Sequence, residues 1–136
     1  MVIDTSAVLA ILFNEPEAEQ FEVALETDAT RLMSAASVLE AAIVIETRLG
    51  EAGGKEFDLF LSTASITVVP VTVAHVAAAR QAYRIYGKGR HPAGLNYGDC
   101  FAYATAKLSG ELLLFKGNDF AQTDIKPWTS AVQPNV

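Results

Sequence analysis

Cysteine is almost missing from this chain of 136 residues. Cys100 stands alone, which excludes an intrachain disulfide and a thiolate zinc cluster and points to a reduced, cytoplasmic protein. Histidine is nearly as scarce, and His75 and His91 lack metal-ligand spacing. No apolar run approaches a membrane span. Met1 leads into Val2-Ile3-Asp4 without a basic stretch, so no signal peptide is expected. Phosphate-cradling glycine loops are also lacking: Gly87-Lys88-Gly89 has the wrong spacing, and no G-x-G-x-x-G follows a strand. Lys and Arg are absent from residues 1–28, which carry Asp4, Glu15, Glu17, Glu19, Glu22, Glu26 and Asp28. The net charge of −6 excludes a uniformly basic, nucleic-acid-coating surface.

What is present is apolar material, 51% of the chain, enough for one core and one domain over residues 1–136, with a tail expected to be flexible from about 129. Strand and helix patterns alternate, the mark of an α/β domain with a largely parallel sheet. Met1 to Ile3 reads as a strand, followed by an apolar helix to Phe13 and a second helix opening near Pro16. Leu32-Met33 is a strand. Ser34 caps a long helix from Ala35 to Leu49, closed by Gly50, and another helix runs from Glu51 to Ala64. Ile66 to Val69 is a strand stopping at Pro70; Thr72 caps a helix to Tyr86, and residues 87–94 form a loop. Asn96 caps the next helix, and Leu112 to Phe115 is a buried strand ending in Lys116-Gly117-Asn118-Asp119.

Four acids carry the chemistry of interest. Asp4 and Asp119 each follow a strand, and groups beyond the carboxyl ends of parallel strands share a crevice. A simpler account makes Asp4 a helix cap and Asp119 a turn residue. Glu40 has Ala36, Ser37, Ile43, Val44 and Thr47 on its helical face and no Lys or Arg within a turn. It is either solvent-facing or in need of a cation. Asp99 lies in the first turn of its helix, three residues after Asn96, where it completes a capping-box variant or enters a crevice beside the small Gly98, Ala102 and Ala106. Converging carboxylates resist common ionisation unless a divalent cation joins them. Hard Mg²⁺ or Mn²⁺ suits such a set, and phosphodiester hydrolysis is its natural use.

The opening Val2-Ile3-Asp4-Thr5-Ser6-Ala7, the Glu40 helix, the run Leu95-Asn96-Tyr97-Gly98-Asp99-Cys100-Phe101-Ala102-Tyr103-Ala104 and the run Leu113-Leu114-Phe115-Lys116-Gly117-Asn118-Asp119-Phe120 together resemble the VapC toxins of bacterial toxin–antitoxin pairs. These are PIN-domain ribonucleases. The resemblance spans nearly the whole chain in order. It implies a three-layer α/β/α sandwich on a five-stranded parallel sheet. It implies that Asp4, Glu40 and Asp99 bind Mg²⁺ or Mn²⁺, that Asp119 is a fourth acid of outer-shell or second-metal type, and that Ser6 and Asn118 support them. Cleavage of tRNA or ribosomal RNA, homodimerisation and inhibition by a VapB-type antitoxin are further implications.

Arg80, Arg84 and Lys88 recur at every fourth position, with Arg90 just beyond, a stripe that either tracks a phosphate backbone or is a solvated helix face. Tyr83 and Tyr86 among them either stack on bases or belong to the core. The acidic second helix, Glu15 to Asp28, is either a solvated surface or one that receives basic side chains of a partner, and it would repel RNA. The first helix, with Val8, Leu9, Ile11, Leu12 and Phe13, holds more apolar surface than one core face needs, and part of it is expected to line an antitoxin groove. Two other classes compete. A haloacid-dehalogenase-like phosphatase would use Asp4 as nucleophile beside Lys116 and Asp119, although Asp4-Thr5-Ser6 lacks a second acid. A non-catalytic binding domain would be indifferent to loss of Asp4 and Asp99.

Overall fold

The computed structural model describes residues 1–129. Its elements run β1 (Val2–Ile3), α1 (Thr5–Leu12), α2 (Ala18–Thr27), β2 (Leu32–Ser34), α3 (Ala35–Thr63), β3 (Thr67–Val69), α4 (Val73–Tyr86), α5 (Tyr97–Ser109) and β4 (Leu113–Leu114), then a 3-10 turn at Phe120–Gln122. The strands are parallel and ordered β3-β2-β1-β4.

Alternation along these short strands sorts the core into two layers. Met1, Ile3, Met33 and Leu114 face one way, into a cluster with α1, α2 and α3 that includes Phe21, Ile45 and Phe57. Val2, Leu32 and Leu113 face the other way, towards α4 and α5 through Ala82, Cys100, Tyr103 and Ala106. Both faces of β1 and β4 are therefore covered by helices, which is why these two strands read as uninterrupted apolar runs, whereas the edge strand β3 leaves Thr67 and Val68 exposed.

Cap chemistry sets the helix ends. Ser34 accepts from the Ala36 N–H, and Thr72 and Asn96 each form a reciprocal capping box, with His75 and Asp99. The two helices expected on either side of Gly50 are joined end to end in α3. Gly50 bends the chain there with φ 69° and ψ −165°, a pair open to a residue without Cβ.

One expectation is corrected. The sheet has four strands, not five, among the described residues. After the 3-10 turn the chain meets β4 only at Pro127: Leu113 N–H donates to Lys126 O at 3.0 Å and Trp128 N–H to Leu113 O at 2.9 Å. Pro127 turns its missing N–H outward, so this contact ends the sheet instead of extending it. On α1, Val8 is fully buried, while Leu9, Ile11, Leu12 and Phe13 pack against the core shared with α2 and α3 and stay partly exposed. The tail expected to be flexible falls, apart from Thr129, outside the described residues.

Candidate active site

After β1 the chain builds outward through β2 and β3, then crosses to place β4 on the opposite side of β1. The carboxyl ends of β1 and β4 thus flank a topological switch point, where an open parallel sheet forms its crevice. Asp4 follows β1 directly, and Asp119 lies just past β4.

Asp4 is buried and serves as the N-cap of α1. Its Oδ2 accepts the Ser6 N–H at 3.0 Å and the Ser6 hydroxyl at 2.6 Å. Ser6 Oγ in turn accepts the Lys116 N–H at 2.9 Å, which directs its own proton to Asp4 and ties the end of β4 to the acid. Burial pushes the Asp4 carboxyl up to about 6; the two bonds from Ser6 oppose this, and the charges of Asp99 and Glu40 reinforce it.

Glu40 projects from the first half of α3 and is half-buried. The Thr5 hydroxyl donates to its Oε1 at 2.8 Å. Asp99 Oδ2 accepts the Asn96 N–H at 3.0 Å, so the capping-box reading is correct, yet this leaves the other oxygen uncommitted among the described residues. Burial raises the Asp99 pKa against the effect of that N–H, and the charges of Asp119 and Glu40 add to the rise. Asp119 is exposed and makes no side-chain capping bond to the turn it precedes. Capping therefore explains one oxygen of Asp4 and Asp99 and none of Asp119.

The structure brings all four acids into one electrostatic neighbourhood, with none in an ion pair among the described residues. Lys116, the candidate lysine of the phosphatase reading, points its ammonium to Glu15 at 2.8 Å and Glu17 at 3.4 Å instead. Among the described residues, no three His, Cys, Asp or Glu side chains stand close enough to grip a cation as they are. The donor set still fits a hard divalent cation: it is all carboxylate, and Asp4 Oδ1, Asp99 Oδ1 and Glu40 Oε2 accept no protein hydrogen bond among the described residues.

Asn118 is exposed in the turn after β4. Arg80, Arg84 and Lys88 line a groove of ≈ 680 Å³ between α4 and α5, together with Tyr83, Tyr97 and Phe101. Arg90 lies over the Tyr83 ring, 5.8 Å from its centroid. None of the four cations is ion-paired among the described residues. The two tyrosines divide: Tyr83 is exposed, whereas Tyr86 packs against His91 and Tyr103. Cys100 is buried and donates to Asn96 O, with burial and Asp99 pushing its thiol up to about 11, which suits packing and not nucleophilic attack.

Three participants are not legible in the sequence. Thr5 shows no local sign that its hydroxyl meets a residue 35 positions away. Lys116 contributes through its peptide N–H, which any residue but proline has. Tyr97, 80% exposed and edge-on to Phe101, stands out in the chain only as a helix-start neighbour of Asp99.

A parallel α/β fold with carboxylates at its switch point defines the class, and the PIN-domain family model matches residues 1–126. The chain is 62% identical over 125 residues to ribonuclease VapC30 of Mycobacterium tuberculosis, covering 92% of this chain and 95% of that protein. It belongs to the PIN-domain family, among the VapC ribonucleases. Two solved structures share the fold. The crystal structure of M. tuberculosis VapC20, described as a sarcin-ricin loop cleaving toxin, aligns with a TM-score of 0.73 and 14% identity over 91% of this chain and 95% of that one. A toxin–antitoxin complex from Klebsiella pneumoniae gives 0.69 and 19% over 90% and 92%.

Proposed function

We propose that this toxin-family ribonuclease is a Mg²⁺- or Mn²⁺-dependent endoribonuclease whose action on tRNA or ribosomal RNA stops translation in the cytoplasm. The observation that carries the reading is the group of four carboxylates at the β1–β4 switch point, two with raised pKa and none with a protein cation beside it. Asp4, Glu40 and Asp99 would hold the cation through the oxygens not tied to protein donors. Bound there, it supplies Lewis acidity and a readily ionised water. Asp119, which is exposed, would orient the attacking water by accepting its hydrogen bond. Ser6 keeps Asp4 from turning, and the arginines of the α4–α5 groove hold flanking phosphates.

VapC relatives and the Klebsiella complex support an antitoxin of VapB type as the inhibitory partner. The exposed acids Glu19, Glu22 and Glu26 on α2 suit basic side chains of such a partner. A homodimer is supported by the exposed apolar side chains Leu39 and Ile43 on α3, outside the α4–α5 groove. No helix among the described residues is long and apolar enough to cross a membrane.

Purified protein, freed of partner, is expected to cleave RNA with Mg²⁺ or Mn²⁺ and to stop on addition of EDTA. Cleavage that persists in EDTA, or full activity in Asp99→Asn, would overturn the mechanism.

A further inference from the structure

Glu40 is held differently from its neighbours. Asp4 and Asp99 sit at helix starts, where the first N–H groups have no intrahelical partner and can restrain a carboxylate. Glu40 lies inside α3, where the helix N–H groups are engaged in its own ladder. A glutamate has one more rotatable bond than an aspartate, so without an outside contact its carboxylate would sample several poses.

That outside contact is Thr5. Its Oγ1 lies 2.8 Å from Glu40 Oε1 and 3.2 Å from Ser37 O, one turn earlier on α3. A hydroxyl has one proton, and an ionised carboxylate is the stronger acceptor, so the bond goes to Glu40. Thr5 is buried at 7% exposure, which keeps water from competing, and its β-branch restricts the hydroxyl to few directions. Gly98 of α5 closes the other side, where a Cβ would fall on Glu40 Oε2. The carboxylate thus occupies a slot between a fixed donor and bare backbone.

We infer that Thr5 is a positioning residue for Glu40, its hydroxyl fixing one carboxylate oxygen so that the other faces the cation position. This rests on the reading of the four acids as a divalent-metal site. Neighbouring hydroxyls then divide the work: Ser6 orients Asp4 and Thr5 orients Glu40, both from the first turn of α1.

Calorimetric titration of Mn²⁺ into metal-free wild type, Thr5→Val and Thr5→Ser tests this, with thermal unfolding in EDTA as a check on folding. Loss of such an orienting bond is expected to weaken Mn²⁺ binding ~10-fold or more in Thr5→Val, while Thr5→Ser stays within ~3-fold of wild type. In a Glu40→Ala background, Thr5→Val should change Mn²⁺ affinity no further. Should Thr5→Val not fold, Thr5→Ala makes the same comparison. Equal Mn²⁺ binding by wild type and Thr5→Val, or equal damage in Thr5→Ser and Thr5→Val, would overturn the assignment of Thr5 and leave the metal site standing. A wild type that binds no Mn²⁺ would overturn both.

Discussion

The Glu40 carboxylate lies against Gly98, across the gap between α3 and α5, at a distance that leaves no room for a side chain on the glycine. Gly98 has an ordinary helical backbone, so the requirement for glycine there comes from Glu40 and not from the chain's own geometry.

Gly98→Ala separates activity from stability. The atoms in the way belong to the end of a flexible side chain, so Glu40 rotates aside and the helix accepts alanine, which it prefers over glycine by about 1 kcal/mol. Cleavage is expected to fall on the order of 100-fold, the usual penalty for misplacing a catalytic group by an ångström. Thermal unfolding alongside a single-turnover assay checks this. A fully active variant would show that Glu40 is not needed where it stands.

Asp4 separates activity from stability in the same direction, through its charge. Its folded pKa is raised from 3.8 to about 6, so the folded state takes up a proton more readily than the unfolded one between those values. Stability from this group is therefore present below pH 3.8, declines as pH rises through about 6, and the penalty is full above it. For a buried acid this amounts to about 3 kcal/mol at most. Asn keeps the helix cap, so metal-free Asp4→Asn should be more stable than wild type at pH 7.5, yet inactive. Mn²⁺ should raise the wild-type melting temperature and not the variant's. Denaturation in EDTA and in Mn²⁺ at several pH values reads both, and a less stable variant at pH 7.5 would contradict the account.

Much of this is visible in the linear chain because its cause is local. Ser34, Thr72 and Asn96 cap helices with their own side chains, and Asp4 and Asp99 follow a strand and a cap that pattern alone locates. What is not visible depends on contacts distant in sequence. The Thr5–Glu40 bond spans 35 positions. Which apolar α1 residues turn towards α2 and α3 is likewise set by the fold. The fifth strand comes from resemblance and fails at Pro127, whose position opposite Leu113 only the fold reveals.

Tyr103 anchors the segment after the 3-10 turn. Its hydroxyl donates to Asp124 Oδ1 at 2.6 Å, while Lys107 holds the other oxygen at 2.6 Å. Burial and the adjacent Asp124 carboxylate raise the phenol pKa, so it remains a donor at neutral pH. Tyr103→Phe keeps the ring packed and removes one bond to a charged acceptor, which costs about 1.5–3 kcal/mol. A lower urea midpoint with unchanged cleavage is expected. Loss of cleavage at full stability would place Tyr103 in the site instead.

The α4–α5 groove predicts how substrate affinity responds to salt. If Arg80 and Arg84 meet phosphates, Arg80→Glu with Arg84→Glu should raise KM ~10-fold or more and leave kcat within ~2-fold, because those ion pairs act equally on ground and transition states. For each phosphate that is no longer neutralised, the plot of log kcat/KM against log salt should also flatten by about 0.7 for a single-stranded RNA. Lys55→Glu with Lys126→Glu changes the net charge equally away from the groove, so it controls for long-range repulsion. A second outcome is equally readable: if the groove face instead meets a second copy of the chain, the arginine variant shifts from dimer to monomer by light scattering. The RNA role of this strip falls if both charge-reversed variants show the same KM and the same salt slope.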